Sequence, residues 1–570
     1  VSRLWGLYQS AQPIQISRRR GSALILSMLA KADSSIARGG VEAITRIGLN
    51  IVNGEVDIEL ATHSCSVLRS AIDNEDGIKR LPSDYRLFAE ICKVLLLPVC
   101  ADNPLDLHAK SMQWVHLAKA GLAAIHSMCD CPPKVYTELM KRYTMEIFQS
   151  RGNSKFVRKQ LFTQSVFLAG EIALLNLMYL ERCESEFKQK IRDSAGVNKS
   201  TPSGDNEDNE MLGLSNEEDF VDVLKELHEE CMLFSDRSLL KPYAQIVIDL
   251  CSKEANNPLQ SLGEYDSNDK PLGLLVFSAT QTLSKFMCVS ERYCKQNLPL
   301  VVQLMHNHVS SIVRSNFILS LSDISLMYNQ LIDAHTEVLY NMLQDPDDKV
   351  QRTCIIALTF LILAGQLKVK GKLGEIAKVI VHKNERIAKL ATMFFRELAT
   401  KENAIYNGFL DMLSTLVHDK SLNEEEMKNI LSFIAGFIDK DNNVKQIVKK
   451  LVDKLHRCDS ERQYLAFVTV LSSLPWKMDD ETKQLISEGF VLREISDNDD
   501  TDMDDGISDE STGAESSDSD TQDEREISKS SKLDEHSEDT KTNSETTSTL
   551  TATRAGTGQL ADAIEDMRIL

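Results

Sequence analysis

Aromatic residues, glycine and proline are all scarce in this chain. Only 6% of its 570 residues are aromatic, and the chain contains 25 Gly and 13 Pro. Strands are enriched in aromatic and β-branched residues, and the turns between them need Gly and Pro, so this composition argues against a sheet-based fold. The apolar residues are mainly Leu, Ile, Ala, Val and Met, which suits helices packed on helices. We therefore predict an all-α protein.

The 12 cysteines lack the spacing of a disulfide framework or of a zinc site. They are scattered through apolar helical patterns, and we interpret them as reduced, buried thiols of a cytosolic or nuclear protein. The one close pair, Cys129 and Cys131, has no second pair nearby to complete a tetrahedral site. We interpret it as the end of a helix before Pro132.

Sequence motifs of enzymatic chemistry are also absent. Gly371-Lys372 lacks the glycine that a phosphate-binding loop needs five positions earlier, because Gln366 stands there. His306 and His308 would point away from each other on a helix, so we interpret them as residues of a solvated turn. We expect no catalytic residues, no cofactor and no metal ligand, and a protein that is not an enzyme.

No hydrophobic run predicts a membrane span. The most apolar stretch, Ser165 to Leu180, contains Glu171 and is expected to be too short to cross a bilayer.

The first residues of the chain, 1–12, already have the sequence pattern of the interior of a domain. We expect that the natural chain extends before Val1, so that targeting peptides cannot be judged.

An internal repeat organises the second half of the chain. Val313, Val350 and Ile387 follow one another at steps of 37 residues, each after a polar turn and at the start of an apolar helix. This is the layout of HEAT-type units, in which a β-branched residue anchors the second helix of each pair. We therefore predict an α-solenoid of helical hairpin repeats.

Changes in polarity divide the chain into four segments. We predict a helical repeat array at 1–193, a flexible polar insertion at 194–216, a second repeat region at 217–490 and a disordered acidic tail at 491–570. The stretch from Asp497 to Glu526 alone has fourteen acidic residues and one Arg, so most of the net charge of −21 belongs to the tail. The folded part is only mildly acidic, which leaves room for local contact with DNA.

Several short stretches of the chain stand in a characteristic order and spacing. They include Phe286-Met287-Cys288-Val289-Ser290, Asn297-Leu298-Pro299-Leu300, Val313-Arg314-Ser315-Asn316, Lys368-Val369-Lys370-Gly371, Phe394-Phe395-Arg396-Glu397-Leu398 and Asn403-Ala404-Ile405-Tyr406-Asn407. In these stretches the chain closely resembles the C-terminal region of the condensin subunit 1 family, the HEAT-type subunits of condensin I, and the resemblance extends over roughly residues 4 to 475. Ser322-Asp323 stands where the family usually has Gly-Asp, which marks a diverged member.

The resemblance implies a regulatory scaffold without catalytic activity. Members of the family bind a kleisin chain, sit beside the ATPase heads of coiled-coil motor subunits and help to hold double-stranded DNA in mitotic chromosome condensation. The implied location is the nucleus and the chromosomes, with a cytoplasmic pool in interphase. Helical solenoids also serve as transport receptors and vesicle-coat adaptors, and periodicity alone leaves this alternative open.

Two groups of basic residues are candidate contacts with a partner or with DNA. The first is a turn that contains Lys368, Lys370, Gly371 and Lys372, which we expect to be exposed. The second comprises the basic residues that follow the three repeat anchors and that would form a phosphate-binding stripe: Arg314, Arg352 and Lys389. The alternative is that each of these three side chains hydrogen-bonds the adjacent turn and stabilises the stacking of repeats.

Candidate phosphorylation sites lie in the polar segments. Thr201-Pro202 in the insertion suits a proline-directed kinase, and four tail serines precede acidic residues, as acidophilic kinases prefer: Ser496, Ser508, Ser517 and Ser519. A phosphorylated acidic tail would compete with DNA for basic surfaces of its own complex, or attract histones.

Overall fold

The computed structural model describes most of the chain up to residue 488. The described residues are 1–488 without 11–15, 73–79, 102–103, 149–153, 199–219, 257–269 and the single positions 309, 368, 370, 402, 456 and 479. The predicted tail and most of the predicted insertion lie outside the described residues.

Almost every described element is helical. The first part contains α1 (Ser2–Gln9), α2 (Ile16–Ala30), α3 (Ser34–Arg38), α4 (Val41–Ala43), α5 (Ile58–Arg69), α6 (Arg86–Leu95), α7 (Pro104–Met128), α8 (Pro132–Phe148) and α9 (Lys155–Asn198). The second part contains α10 (220–226), α11 (Lys241–Asn256), α12 (Lys270–Val289), α13 (Glu291–Asn307), α14 (Ser311–Met327), α15 (Asn329–Asp333), α16 (Thr336–Asn341), α17 (Asp348–Leu363), α18 (Leu373–Lys378), α19 (Glu385–Ala399), α20 (Ala404–His418), α21 (Glu424–Ala435), α22 (Asp441–Leu455), α23 (Glu461–Ser473) and α24 (Asp480–Glu488). Short π-helical and 3-10 turns extend or join some of these helices, at Ile44–Gly48, Leu227–Cys231, Met342–Gln344 and Val379–Val381.

The helices pack as a continuous array. In the second half α9 packs on α12, α12 on α14, α14 on α17 and α17 on α19, so that alternate helices form one layer. Among the remaining helices, α13 packs on α12 and α14, and α18 packs on α20. Each pair buries its apolar face only against its neighbours, which is the packing of an α-solenoid. The predicted fold class is confirmed.

The 37-residue step is a true structural register. Val313, Val350 and Ile387 are each the third residue of their helix, in α14, α17 and α19, and all three are buried. Further positions at the same step are buried in all three helices: Phe317, Cys354 and Ala391; Leu321, Leu358 and Phe395; Ile324, Leu361 and Leu398. Equivalent residues therefore occupy equivalent places on stacked helices.

One small sheet interrupts the helices. Strands β1 (Ile51–Val52) and β2 (Glu55–Val56) pair antiparallel around Asn53-Gly54. Both turn residues have positive φ, 54° and 83°, which a two-residue type I′ hairpin requires and which Asn-Gly supplies readily.

Helix α9 is longer than the apolar stretch Ser165 to Leu180. It continues to Asn198, and its segment Phe156–Lys190 is long and apolar enough, by length and composition alone, to cross a membrane. The expectation that this region is too short to cross a bilayer is therefore wrong. Within the most apolar window 67% of the residues are buried in the array. Glu171 lies inside the helix with its side chain only 14% exposed, and its carboxylate is paired with two lysines: Lys285 Nζ lies 2.8 Å and Lys119 Nζ 3.5 Å from its Oε1.

The cysteine predictions agree with the structure in part. The 12 cysteines all lie within the described residues and form no disulfide bond there, and α7 ends just before Cys129 while α8 begins at Pro132, as expected. Not every thiol is buried, since Cys100 is exposed and others are half-buried.

Candidate partner and nucleic-acid surface

A recurrent turn precedes each repeat helix. His308, Asp345, His382 and Asp419 follow one another at steps of 37 residues, and each side chain accepts the backbone N–H two residues on, at 2.8–3.0 Å. Imidazole Nδ1 and carboxylate Oδ1 thus perform the same role in alternate repeats. His308 is buried, so the prediction that it lies in a solvated turn is wrong, and this burial lowers the pKa of its ring. A neutral ring leaves Nδ1 free to accept the hydrogen bond.

Arg314 is a structural residue of the solenoid. Its Nε and Nη2 donate to the two carboxylate oxygens of Asp345 at 2.8 Å each, and its Nη1 donates to the carbonyl of His308 at 2.7 Å. The side chains of Arg314 and Asp345 are only 9% and 4% exposed. A bidentate pair of this kind fixes one turn against the next and leaves no face for a phosphate. The expectation that Arg314 joins a DNA-binding stripe is wrong, and its alternative, a role in repeat stacking, describes this residue.

Arg352 and Lys389 remain on the surface. They occupy equivalent positions of α17 and α19, 37 residues apart, and both are exposed. Lys389 forms an ion pair with Glu385 at 2.6 Å, one turn back on the same helix, and its amino group lowers the pKa of that carboxyl through a hydrogen bond. Exposed i,i+4 pairs are weak, so Lys389 stays available to an anionic partner.

Two further basic residues extend this pair, and the sequence analysis missed them. Lys349 and Arg386 are also exposed and equivalent, one helical turn before Arg352 and Lys389. Together the four residues Lys349, Arg352, Arg386 and Lys389 form what we call the basic edge, at the N-terminal ends of two adjacent helices. The 37-residue step would have revealed the second pair.

The lysine turn is only partly described. Gly371 has φ 75° and is exposed, in keeping with the expected turn. Lys372 is half-buried and forms an ion pair with Glu337 at 3.0 Å. Lys368 and Lys370 lie outside the described residues, so a partner contact through this turn stays a prediction.

An exposed apolar row borders the basic edge. Leu319, Ile356 and Met393 are equivalent residues of α14, α17 and α19, and they are 47%, 44% and 57% exposed. Phe360, one turn after Ile356, is 53% exposed. Phe360 holds the register position that the exposed carboxylates of Asp323 and Glu397 hold in α14 and α19. The surface is therefore arranged in parallel bands: a basic band, an apolar band, and a band that is acidic in α14 and α19 but apolar in α17.

A second basic face occurs on α22. Lys445, Lys449, Lys450 and Lys454 are all exposed on this one helix. They follow no 37-residue step. This face offers four cations of similar exposure to those of the basic edge.

A cleft with a volume of about 440 Å³ lies between the α19–α20 and α21–α22 turns. Its polar groups make structural bonds: Lys440 and Asn443 donate to the side-chain carbonyl of Asn403 at 3.2 and 3.1 Å. Among the described residues no three His, Cys, Asp or Glu side chains are placed to hold a metal ion. Thr201 and the tail serines lie outside this part of the chain and stay predictions.

Residues 312–472 match the model of the family Cnd1, the non-SMC mitotic condensation complex subunit 1. This segment contains α17 to α23, the whole basic edge and the apolar row. The surface with the three bands thus falls in the part of the chain that the family model covers.

Curated relatives match over most of the chain. Condensin complex subunit 1 of Saccharomyces cerevisiae is 32% identical over 530 residues, which are 86% of this chain and 43% of that protein. The Schizosaccharomyces pombe protein of the same name is 31% identical over 527 residues, with the same shares. The chain thus spans less than half the length of these relatives. Among solved structures, the S. pombe condensin Cnd3-Cnd2 subcomplex aligns at 12% identity over 85% of this chain and 71% of that chain, with a TM-score of 0.32.

Proposed function

The chain belongs to the family of condensin complex subunit 1, and we propose that it serves as a non-catalytic scaffold of a condensin complex in mitotic chromosome condensation. In this role it binds a kleisin chain, contacts the heads of the coiled-coil ATPase subunits and holds double-stranded DNA. ATP hydrolysis belongs to those partners. Its place is the nucleus and the chromosomes, with a cytoplasmic pool in interphase. Relatedness to condensin subunits favours this function over that of a transport receptor or adaptor.

The observation that supports DNA contact most directly is the basic edge. Its four cations stand on two stacked helices at equivalent positions, so they follow the solenoid and not a single helix. A regular row of guanidinium and ammonium groups suits the regular phosphates of a duplex and provides affinity without sequence specificity. The lysine turn around Gly371 is a further candidate contact, with either DNA or an ATPase head.

Charge reversal of the basic edge tests this proposal. One variant changes Lys349, Arg352, Arg386 and Lys389 to Glu, and the affinity of the chain for a short DNA duplex is measured at several salt concentrations. If these residues contact phosphates, the affinity falls and the dependence of log K on log salt becomes shallower by about 0.9 for each lost phosphate contact.

A matched variant makes the test specific. It changes Lys445, Lys449, Lys450 and Lys454 of α22 to Glu, which produces the same change of net charge at the second basic face. We expect this variant to keep the salt slope of the unaltered chain. If instead the α22 variant loses the slope and the basic-edge variant keeps it, DNA binds elsewhere and this assignment is wrong.

A further inference from the structure

We propose that Cys131 and Cys183 form a thiol pair that hydrogen peroxide oxidises to a disulfide within the chain. The two residues stand 52 positions apart in the sequence and meet where the turn between α7 and α8 lies against α9. This inference concerns the chemistry of the chain's own thiols and does not depend on the proposed function.

Arg182 of α9 fastens this turn to the helix. Its Nη2 donates to the backbone carbonyl of Asp130 at 3.4 Å, and its Cζ lies 4.9 Å from the centroid of the Tyr179 ring. Asp130 and Arg182 each directly precede one of the two cysteines in the sequence. The contact between them therefore brings Cys131 of the turn to the part of α9 that carries Cys183.

The Tyr179 hydroxyl joins the two thiols. It lies within hydrogen-bonding distance of the side chains of both Cys131 and Cys183. A hydroxyl can donate its proton to one sulfur and accept the S–H of the other, so that one oxygen holds both sulfur atoms close to it. Tyr179 and Cys183 are one turn apart on α9, whereas Cys131 comes from the α7–α8 turn. The pair is therefore a product of the fold.

The two thiols are also within reach of solvent. Cys131 and Cys183 are half-buried, whereas burial raises the pKa of the thiols of Cys65, Cys92 and Cys354 and keeps them protonated. The thiolate is the form that attacks peroxide, and buried thiols are inert. Access to solvent and a second thiol close by are features of cysteines that peroxide oxidises reversibly.

The reaction balances with peroxide as the oxidant. One thiolate attacks a peroxide oxygen and becomes a sulfenic acid, while hydroxide leaves and takes up a proton to form water. The second thiol then attacks the sulfenic sulfur, the disulfide bond forms and a second water leaves. The two thiols together lose two electrons, and one peroxide is reduced to two waters. The sulfurs of a disulfide lie about 2 Å apart, so closure needs rotation of both side chains and a small movement of the turn.

Peptide mapping of the oxidised protein tests the proposal. The full chain is treated with hydrogen peroxide, its remaining thiols are alkylated and it is digested with trypsin. We expect peptide 120–134 to be linked to peptide 183–188, with a mass two hydrogens below the sum of the free peptides, and to separate on reduction with dithiothreitol. The link should be lost in Cys131→Ser and in Cys183→Ser. It should persist in Cys129→Ser, which alters the other cysteine of the first peptide.

A second thiol pair is the matched control. The thiols of Cys288 and Cys294 also lie near each other, but burial raises the pKa of both to about 12. We expect the peptides that carry them to remain unlinked in the same digest. The chain unfolded in urea before oxidation should lose its preference for the link between Cys131 and Cys183, because the turn no longer meets α9. Circular dichroism of each variant establishes that the fold is kept.

Four outcomes would overturn the inference. The first is the absence of the linked peptides from the folded, oxidised chain, and the second is their persistence in Cys131→Ser, which would place the link on Cys129. The third is an equal amount of the link in the unfolded chain or between Cys288 and Cys294, since neither exposure nor the shared hydroxyl would then select the pair. The fourth is a linked product that runs as a dimer on a non-reducing gel, because the bond would then join two copies.

Discussion

Replacement of Arg314 by Met should loosen the solenoid locally without affecting DNA binding. The change removes the three hydrogen bonds to Asp345 and to the His308 carbonyl, and it leaves the Asp345 carboxylate, 4% exposed, without its cation. Removal of one partner of a buried ion pair costs about 3–5 kcal/mol. We expect a loss in this range, confined to the repeats on either side of the pair.

Amide hydrogen exchange is the suitable assay, because stability in a repeat array is local and a single global transition is not guaranteed. A loss of about 3 kcal/mol in local stability makes amide exchange through local opening faster by a factor on the order of 10². This acceleration should appear in α14 and α17, the helices that Arg314 and Asp345 connect, and should be absent from α5 and α7 in the first half of the chain.

Two further variants decide whether the ion pair is the cause. Arg352→Met changes an exposed residue one repeat further on. It should alter the free energy of local opening, as read from amide exchange, by no more than about 0.5 kcal/mol. The double variant Arg314→Met with Asp345→Asn removes both charges but keeps an oxygen that accepts the Asp347 N–H. This double variant should recover all but about 1.5 kcal/mol of the stability that Arg314→Met loses. Equal effects of the Arg314 and Arg352 variants would refute the reasoning.

Three other predictions follow from local contacts. Burial raises the pKa of the Asp419 carboxyl, but hydrogen bonds from Lys378 and from Ser421 outweigh it and hold this pKa at about 2. The stabilising effect of the ionised carboxylate is therefore complete above pH about 4 and is lost as pH falls towards 2. In the variant Lys378→Met, amide exchange in α18 and in the turn after α20 should depend less on pH in this window. Gly374→Ala should destabilise the contact of α18 with α20 by about 1–3 kcal/mol, because a Cβ there would lie 2.5 Å from Thr415 Cβ. Gly436→Ala is the control: a Cβ there would lie 3.4 Å from its nearest neighbour, the Phe433 carbonyl oxygen, and the change should be near neutral in thermal melts. Mass spectrometry should find phosphate on Thr201 in mitotic but not in interphase cells, and its absence from both would exclude this site.

The 37-residue step shows how far the sequence predicts the structure. It correctly placed three anchors in the core, because apolar periodicity reports burial along a helix directly. The same step failed for Arg314, which follows its anchor by one residue, whereas Arg352 and Lys389 follow theirs by two. One residue rotates a side chain by about 100° around the helix, and this difference turns Arg314 inward towards Asp345.

Other features depended on long-range contacts that no local pattern contains. Helix α9 packs on α12, and its Glu171 pairs with Lys285, 114 residues away. A local reading of the apolar stretch sees only an acidic interruption. The apolar row, by contrast, was within reach of the sequence, since Leu319, Ile356 and Met393 repeat at the same step as the anchors, and their exposure follows from that register.

Isolation of the partners of the chain from mitotic cells tests most directly whether it is a scaffold of a condensin complex. We expect the tagged chain to be recovered with a kleisin and with two coiled-coil ATPases, in amounts that remain stoichiometric after a high-salt wash and nuclease treatment. Recovery with a small GTPase and its cargo, without a kleisin or the ATPases, would contradict it.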